Sequence, residues 1–328
     1  MRSWPSVIRT SAGIPATSRR LPAQRWPAVP AFGLNWPTMS KSPLRRVSDA
    51  VVLASMRPPV APQLLAYRPL AKPLDLRGKR VLVTGASSGI GAVAAEQFAA
   101  EGATVAVAAR RHELLDEVVE RITAAGGTAT AIACDLADME AVDALAAEVT
   151  SRLGGVDILV NHAGRSIRRP LAESLERWHD VERTMTLNYY SPLRLIRGLA
   201  PAMLERGDGH IINVATWGVM IEGTPLFGVY NASKAALSTV SRVIETEWAA
   251  KGVHSTALYY PLVATPMIAP TKAFANRPAL SAQEAAGWMI AAARTRPVRI
   301  VPRITVSARM LDLVAPGRAT SVLQRRPR

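Results

Sequence analysis

The chain has 328 residues, 49% of them hydrophobic, enough for one large core or two small ones. Its formal charge of +15 is uneven: residues 1–77 carry +10, residues 294–328 carry +8, and residues 78–293 carry −3. A nucleic-acid-binding domain carries its basic stripe on the fold itself, so this distribution argues against that class. Residues 1–38 are rich in Pro, Arg, Ser and Trp and hold no acid. Three readings stay open for them: a disordered tail, an Arg-rich transit segment, or an extension ahead of a true start at Met39. The third is favoured, because sensible patterning begins just after Met39. Within a basic segment 39–77, residues 43–57 form an expected amphipathic helix with Leu44, Val47, Val51 and Val52 on one side and Arg45 and Arg46 nearby. Packing on its own domain is favoured for this helix over lying on a membrane surface, and Arg57-Pro58-Pro59 ends it.

From Lys79 the pattern changes. Arg80 to Thr84 is a short β-branched run that reads as a buried strand. Residues 91–101 have helical composition, 104–109 read as a second strand, and 112–124 as a helix with Leu114, Leu115, Val118, Val119 and Ile122 inward. Strand-like runs recur at 129–133, 156–160, 210–214 and 254–259. Alternating strands and helices predict an α/β fold, a doubly wound parallel sheet of Rossmann type. One such domain is expected over 78–296, flanked by an N-terminal extension and a basic tail over 297–328 that ends in the solvated Arg325-Arg326-Pro327-Arg328. No window holds about 18 uninterrupted apolar residues, so no transmembrane helix is expected. The single cysteine, Cys134, permits no internal disulfide and fits a reducing compartment. It is read as a buried small hydrophobe. The histidines show no metal-ligand spacing, and no metal is expected.

Between the first strand and helix lies Thr84-Gly85-Ala86-Ser87-Ser88-Gly89-Ile90-Gly91. Glycines let the backbone turn sharply and approach a ligand. The helix then offers free N–H groups and a positive dipole end to a pyrophosphate. The second strand ends Ala108-Ala109-Arg110-Arg111. A site for NAD(H) wants an acid there for the ribose 2′-hydroxyl. Alanine followed by arginine suits a 2′-phosphate instead, so Arg110 predicts NADP(H). Further on, Tyr230 and Lys234 stand four apart, on one helix face. A nearby ammonium favours the phenolate, so Lys234 is expected to lower the Tyr230 pKa toward neutrality.

With these residues in place, the chain resembles the short-chain dehydrogenase/reductase family from about residue 78 to 270. The glycine loop matches. Asp135-Leu136 resembles the adenine-contacting pair after the third strand. Asn161-His162-Ala163-Gly164 resembles the family's Asn-Asn-Ala-Gly, with His162 replacing the second Asn as a structural substitution. The resemblance implies that Asn188 holds a proton-relay water, that Tyr230 is the general acid in carbonyl reduction, and that Lys234 tunes it and grips the nicotinamide ribose. A serine usually polarises the carbonyl; Ala215 and Thr216 stand at those positions, and the Thr216 hydroxyl is the expected substitute. Pro261-Leu262 replaces the usual Pro-Gly, leaving Val263 and Thr265 for the carboxamide and phosphate. The implied cofactor set is Gly85, Ser87, Ser88, Gly89, Ile90, Gly91, Arg110, Asp135, Leu136, Asn161, Ala163, Gly164, Tyr230, Lys234, Val263 and Thr265.

Residues 161–188 and 260–272 resemble the bacterial long-chain fatty acyl-CoA reductase branch and the ketoacyl reductase-like proteins beside it. That implies reduction of an acyl-CoA to an aldehyde by NADPH. The alternatives are a reductase of 3-ketoacyl thioesters or another lipophilic ketone, and a non-catalytic NADP-binding protein. Arg165, Arg168 and Arg169 are candidates for the coenzyme A phosphates, and Met220, Met267 and Ile268 for an acyl channel. The resemblance also implies a homodimer or homotetramer in the cytoplasm, with at most peripheral membrane contact.

Overall fold

The computed structural model describes residues 43–58, 72–221, 223–269 and 271–324. The expectations for residues 1–38 and for Arg325 to Arg328 lie outside the described residues.

Seven parallel strands form one sheet: β1 (Arg80–Thr84), β2 (Thr104–Ala109), β3 (Thr128–Ala133), β4 (Ile158–Asn161), β5 (Gly209–Thr216), β6 (Val253–Tyr260) and β7 (Arg299–Ile300). Their order is β3-β2-β1-β4-β5-β6-β7. Successive side chains point to opposite faces. Val81, Val83, Val105 and Val107 enter a core shared with α2 (Gly89–Ala100), α3 (His112–Ala124) and α10 (Ala282–Thr295), where Phe98 and Met289 are fully buried. Leu82 and Ala106 enter the opposite core, with Leu145 from α4 (Met139–Leu153), Leu199 and Met203 from α7 (Ser191–Arg206), and Ile244 from α9 (Gly228–Trp248). Burial on both faces is why the strands read as continuous apolar runs.

Strand order reverses at β1, which pairs through Val81 with Val105 of β2 on one side and with Ile158 of β4 on the other. Chains leave β1 and β4 in opposite directions, so a crevice opens at their carboxyl ends. At the other end of this pair the Arg80 guanidinium forks onto Asp157, with Nη2 2.5 Å and Nε 2.9 Å from its oxygens, and clamps the sheet centre. Between β4 and α7 come α5 (Leu171–Glu176), α6 (Trp178–Met185) and a π-helical turn, Thr186–Tyr190. The short helix α8 (Gly218–Ile221) follows β5.

Two expectations are corrected. The described part of 297–328, expected as a basic tail beyond the domain, forms a strand and two helices. Ile300 of β7 is fully buried, its strand aligned to β6 through Leu258, and α11 (Arg303–Val314) and α12 (Pro316–Gln324) follow. The helix α1 (Pro43–Met56) forms as expected, but Val47, Val51 and Val52 face outward. Its C-terminal end attaches instead: Met56 and Leu53 pack on the first core, and Arg57 pairs with Glu284 of α10 at 2.7 Å. Cys134 is buried, with Sγ 3.4 Å from the Ala141 carbonyl, and burial pushes its thiol up to about 11. Among the described residues no helix is long and apolar enough to cross a membrane.

Candidate active site

The loop between β1 and α2 closes through Gly85 (φ +70) and Gly89 (φ +61), both in the left-handed region that glycine adopts freely. A Cβ on Gly85 would lie 2.8 Å from Ala163 Cα, and one on Gly91 2.5 Å from the Gly85 carbonyl oxygen. The loop is therefore pressed onto the turn after β4. The Thr84 hydroxyl ties the two: it accepts from the N–H groups of His162 (3.0 Å) and Ala163 (3.1 Å) and donates to the Val160 carbonyl (3.1 Å). Its role was not singled out from the sequence; a hydroxyl closing a strand before a glycine turn was the signal. Ser88 precedes α2 in extended conformation and makes no side-chain cap, so the first-turn N–H groups face the crevice free of it. Ile90 points into the core. Thr265 closes over this helix end: a Cβ on Gly89 would lie 3.5 Å from its Cβ. Val263 bridges to Leu280 beside it.

At the end of β2, Ala109 is buried and Arg110 is exposed. Arg111, which the sequence reading passed over, donates from Nη2 to Ser87 Oγ at 3.1 Å and so reaches the same loop. At the end of β3, the Asp135 carboxylate accepts the Ala137 N–H at 3.0 Å, and Leu136 sits in the second core. These positions fit a dinucleotide. Backbone fills the space that side chains would take, a bare helix end faces the phosphates, and two guanidiniums stand at the far end.

Tyr230 and Lys234 lie in the first two turns of α9. Thr216 ends β5 beside them. The lysine is buried, donates to the Val214 carbonyl at 2.8 Å, and would sit 3.2 Å from a Cβ on Gly164. Burial pushes its pKa down to about 8. Tyr230 keeps some exposure as a residue, but burial of its hydroxyl pushes it up to about 12, and a hydrogen bond with Thr216 works in the opposite sense. The expectation that Lys234 lowers the phenol is thus corrected. The partner that lowers it is Thr216, and desolvation outweighs that bond. His162 is pushed down to about 4 by burial and then by Lys234, and its Nδ1 is buried without a partner. It is neutral and packs under Gly91, whose Cβ would lie 2.8 Å from its Cδ2. Asn161 donates from Nδ2 to Asn213 Oδ1 at 2.9 Å, while its own Oδ1 is buried without a partner.

Asn188 lies fully buried in the π-helical turn, a distortion that re-aims side chains at working sites. Its Oδ1 accepts the Arg165 N–H at 2.7 Å, and its Nδ2 donates to the Arg165 carbonyl (2.9 Å) and to Ser233 Oγ (2.9 Å). Ser233 in turn donates to the Tyr230 carbonyl at 2.7 Å. Ser233 was also missed from sequence, where it is one small residue inside an ordinary helix. Asn188 thereby fixes the turn after β4 to the helix that carries the Tyr–Lys pair.

The arginine run after β4 divides. Arg169 turns back onto the buried Asp180, which Arg177 also reaches at 3.1 Å, so Arg169 is structural, contrary to expectation. The backbone N–H of Arg169 donates to the carbonyl of Leu226, itself at φ +70, and so holds the approach to α9. Arg165 stays 4.0 Å from Asp180. Its pKa is lowered, first by burial and then by the positive charges of Arg183, Arg110 and Arg169. Met267 is exposed, Ile268 half-buried, and Met220 packs on Ala215, Tyr259 and Val301.

A glycine cradle at the sheet's reversal point, joined by Asn188 to a buried Tyr–Lys pair, is the site of a short-chain oxidoreductase. The short chain dehydrogenase family pattern matches residues 79–276, and the chain belongs to that family. It is 68% identical over 288 residues to a protein of Mycobacterium tuberculosis named a fatty acyl-CoA reductase, covering 88% of this chain and 98% of that one. It is 45% identical over 242 residues to the fatty acyl-CoA reductase of Acinetobacter baylyi, covering 74% and 82%. Among solved structures, the L-sorbose reductase of Gluconobacter frateurii, complexed with NADPH and L-sorbose, aligns with TM-score 0.62 and 28% identity over 70% of this chain and 98% of that one.

Proposed function

We propose that the chain is an NADPH-dependent reductase that converts a fatty acyl-CoA to the fatty aldehyde. The observation that carries the reductase reading is the Thr216–Tyr230 hydroxyl pair, with the Lys234 ammonium one turn away and a phosphate cradle beside it. The names of the Mycobacterium and Acinetobacter relatives support the acyl-CoA substrate. When bound, the nicotinamide supplies hydride to the thioester carbonyl carbon. Gly85 to Gly91 and the first turn of α2 hold the pyrophosphate, Arg110 and Arg111 the 2′-phosphate, and Lys234 the ribose. Tyr230 and Thr216 donate hydrogen bonds to the carbonyl oxygen, and Tyr230 delivers the proton as negative charge develops there. The hemithioacetal then releases the thiol of coenzyme A and leaves the aldehyde. Arg165 and Arg168, which Asp180 does not neutralise at hydrogen-bond distance, hold coenzyme A phosphates.

The test runs palmitoyl-CoA and a 3-ketoacyl-CoA in parallel, following NADPH consumption and trapping any aldehyde. Aldehyde from palmitoyl-CoA is expected, reduced by a factor of about 10² to 10⁴ in Tyr230→Phe, with NADPH affinity retained. Turnover of the ketoacyl substrate alone would assign the same residues to ketone reduction. NADPH binding without turnover of either would make the protein non-catalytic.

A further inference from the structure

The C-terminal helices carry an apolar stripe that the fold leaves uncovered. In α11, Val306, Met310, Leu313 and Val314 are between 46% and 80% exposed. Their spacing of four, three and one places them on one face, while Thr305, on another side of the helix, is fully buried. In α12, Val322 is exposed one turn beyond the exposed Arg318. Beside them, α1 exposes Val47 and Val51, four apart. The chain leaving α1 meets the start of α11: the Arg303 N–H donates to the Arg57 carbonyl, and its Nε to the Pro58 carbonyl, each at 2.9 Å. Single exposed apolar side chains are ordinary, but four on one face of one helix mark a surface that is covered in use.

Charge decides what covers it. Helices α11 and α12 hold Arg303, Arg309 and Arg318 against one acid, Asp312, while Arg294 and Arg296 ahead of them pair with Glu101 and Asp208. Arg303 stands three residues before Val306 and seven before Met310, on the same face. A second copy docked about a two-fold axis would press this arginine-rich patch against itself. An anionic lipid surface attracts the arginines and takes the apolar row into the boundary between headgroups and acyl chains. We propose that α11 and α12, with α1 beside them, form a docking face for an anionic phospholipid membrane. The face backs onto the catalytic side of the sheet: Arg309 Nη1 donates to the Met220 carbonyl of α8 at 3.5 Å, and α8 begins two residues after Thr216. The inference does not depend on which carbonyl compound is reduced.

The full chain is mixed with vesicles of phosphatidylcholine alone and of phosphatidylcholine with equal phosphatidylglycerol, at low and high salt, and sedimented. Binding to the anionic vesicles only, weakened by salt, is expected. Leu313→Glu should cut the partition by about tenfold or more and Arg318→Gln by about fivefold. Both side chains are exposed, so the circular dichroism and melting midpoint should match wild type. Failure of the wild type to bind anionic vesicles, or equal binding by Leu313→Glu, overturns the proposal. So does a Leu313→Glu variant that lowers the oligomeric mass in light scattering while vesicle binding is absent, which would assign the face to a second copy.

Discussion

Thr216 stands where the family's serine is usual, and its hydroxyl has one task in the proposed reaction and one in the structure. The proposed reaction uses it as a donor to the carbonyl oxygen, and in the structure its hydrogen bond works to lower a phenol that burial still leaves at about 12. Thr216→Ala should therefore reduce kcat by about 10² to 10³ and move the alkaline limb of the pH–rate profile upward, because the phenol loses the bond that favours its ionised form. Thr216→Ser, which keeps the hydroxyl, should keep turnover; an inactive serine variant would show that the threonine methyl is itself required. His162 permits a stability prediction. Its folded pKa, about 4, lies below the ordinary 6.5. Above 6.5 both folded and unfolded chains hold it neutral. As pH falls from 6.5 toward 4 only the unfolded chain takes the proton, so stability is lost over that window, at up to about 1.4 kcal/mol per pH unit. His210, also buried and neutral, adds to the loss. Denaturation at pH 7 and pH 5 should show a smaller difference in His162→Asn than in wild type.

The helix α10 begins with a capping box, in which Ser281 Oγ accepts the Glu284 N–H at 3.1 Å and Glu284 reaches back to the Ser281 N–H at 3.2 Å. The same Glu284 holds Arg57 at the end of α1, so one carboxylate orders two elements. Ser281→Ala should lower unfolding free energy by about 1 kcal/mol in a denaturant titration. This link was not legible in the sequence, because Arg57 and Glu284 are 227 positions apart. The strands at the sheet centre were legible for the opposite reason: each is apolar on both faces and needs no distant partner to be recognised. The two-residue strand β7 was not, since its buried Ile300 sits among arginines that made the segment read as a basic tail. For α1 the periodicity revealed the helix but misled about its packing face, because Val47 and Val51 point outward while Leu53 and Met56 hold on. The phosphate loop and the Tyr–Lys pair were readable because each is contiguous. Arg111 and Ser233 entered only when folding brought them to Ser87 and Asn188.

The molecule as a whole separates its duties by direction along the strands. The carboxyl ends carry the glycine loop and Thr216, with Tyr230 and Lys234 beside them, while Arg80 and Asp157 lock the sheet from the other end. The family resemblance implies assembly through the helices downstream of Asn188 and bearing Tyr230, which here are α7 and α9. Between them runs a groove of about 240 Å³ lined by Leu193, Ile196, Val240, Val243 and Trp248. Val243 is 46% exposed there, a large apolar side chain left facing water in a single copy. Its edge also carries Glu247, so an acid stands among the apolar lining. Two copies meeting on this groove would bury Val243 and would lie against α9, the helix that carries Tyr230 and Lys234. Val243→Glu places a charge where an apolar surface would be covered and should shift the mass in light scattering toward the monomer. It should also make the melting midpoint independent of protein concentration, where the wild type shows a rise. An unchanged mass in Val243→Glu would place the assembly contact elsewhere on the fold.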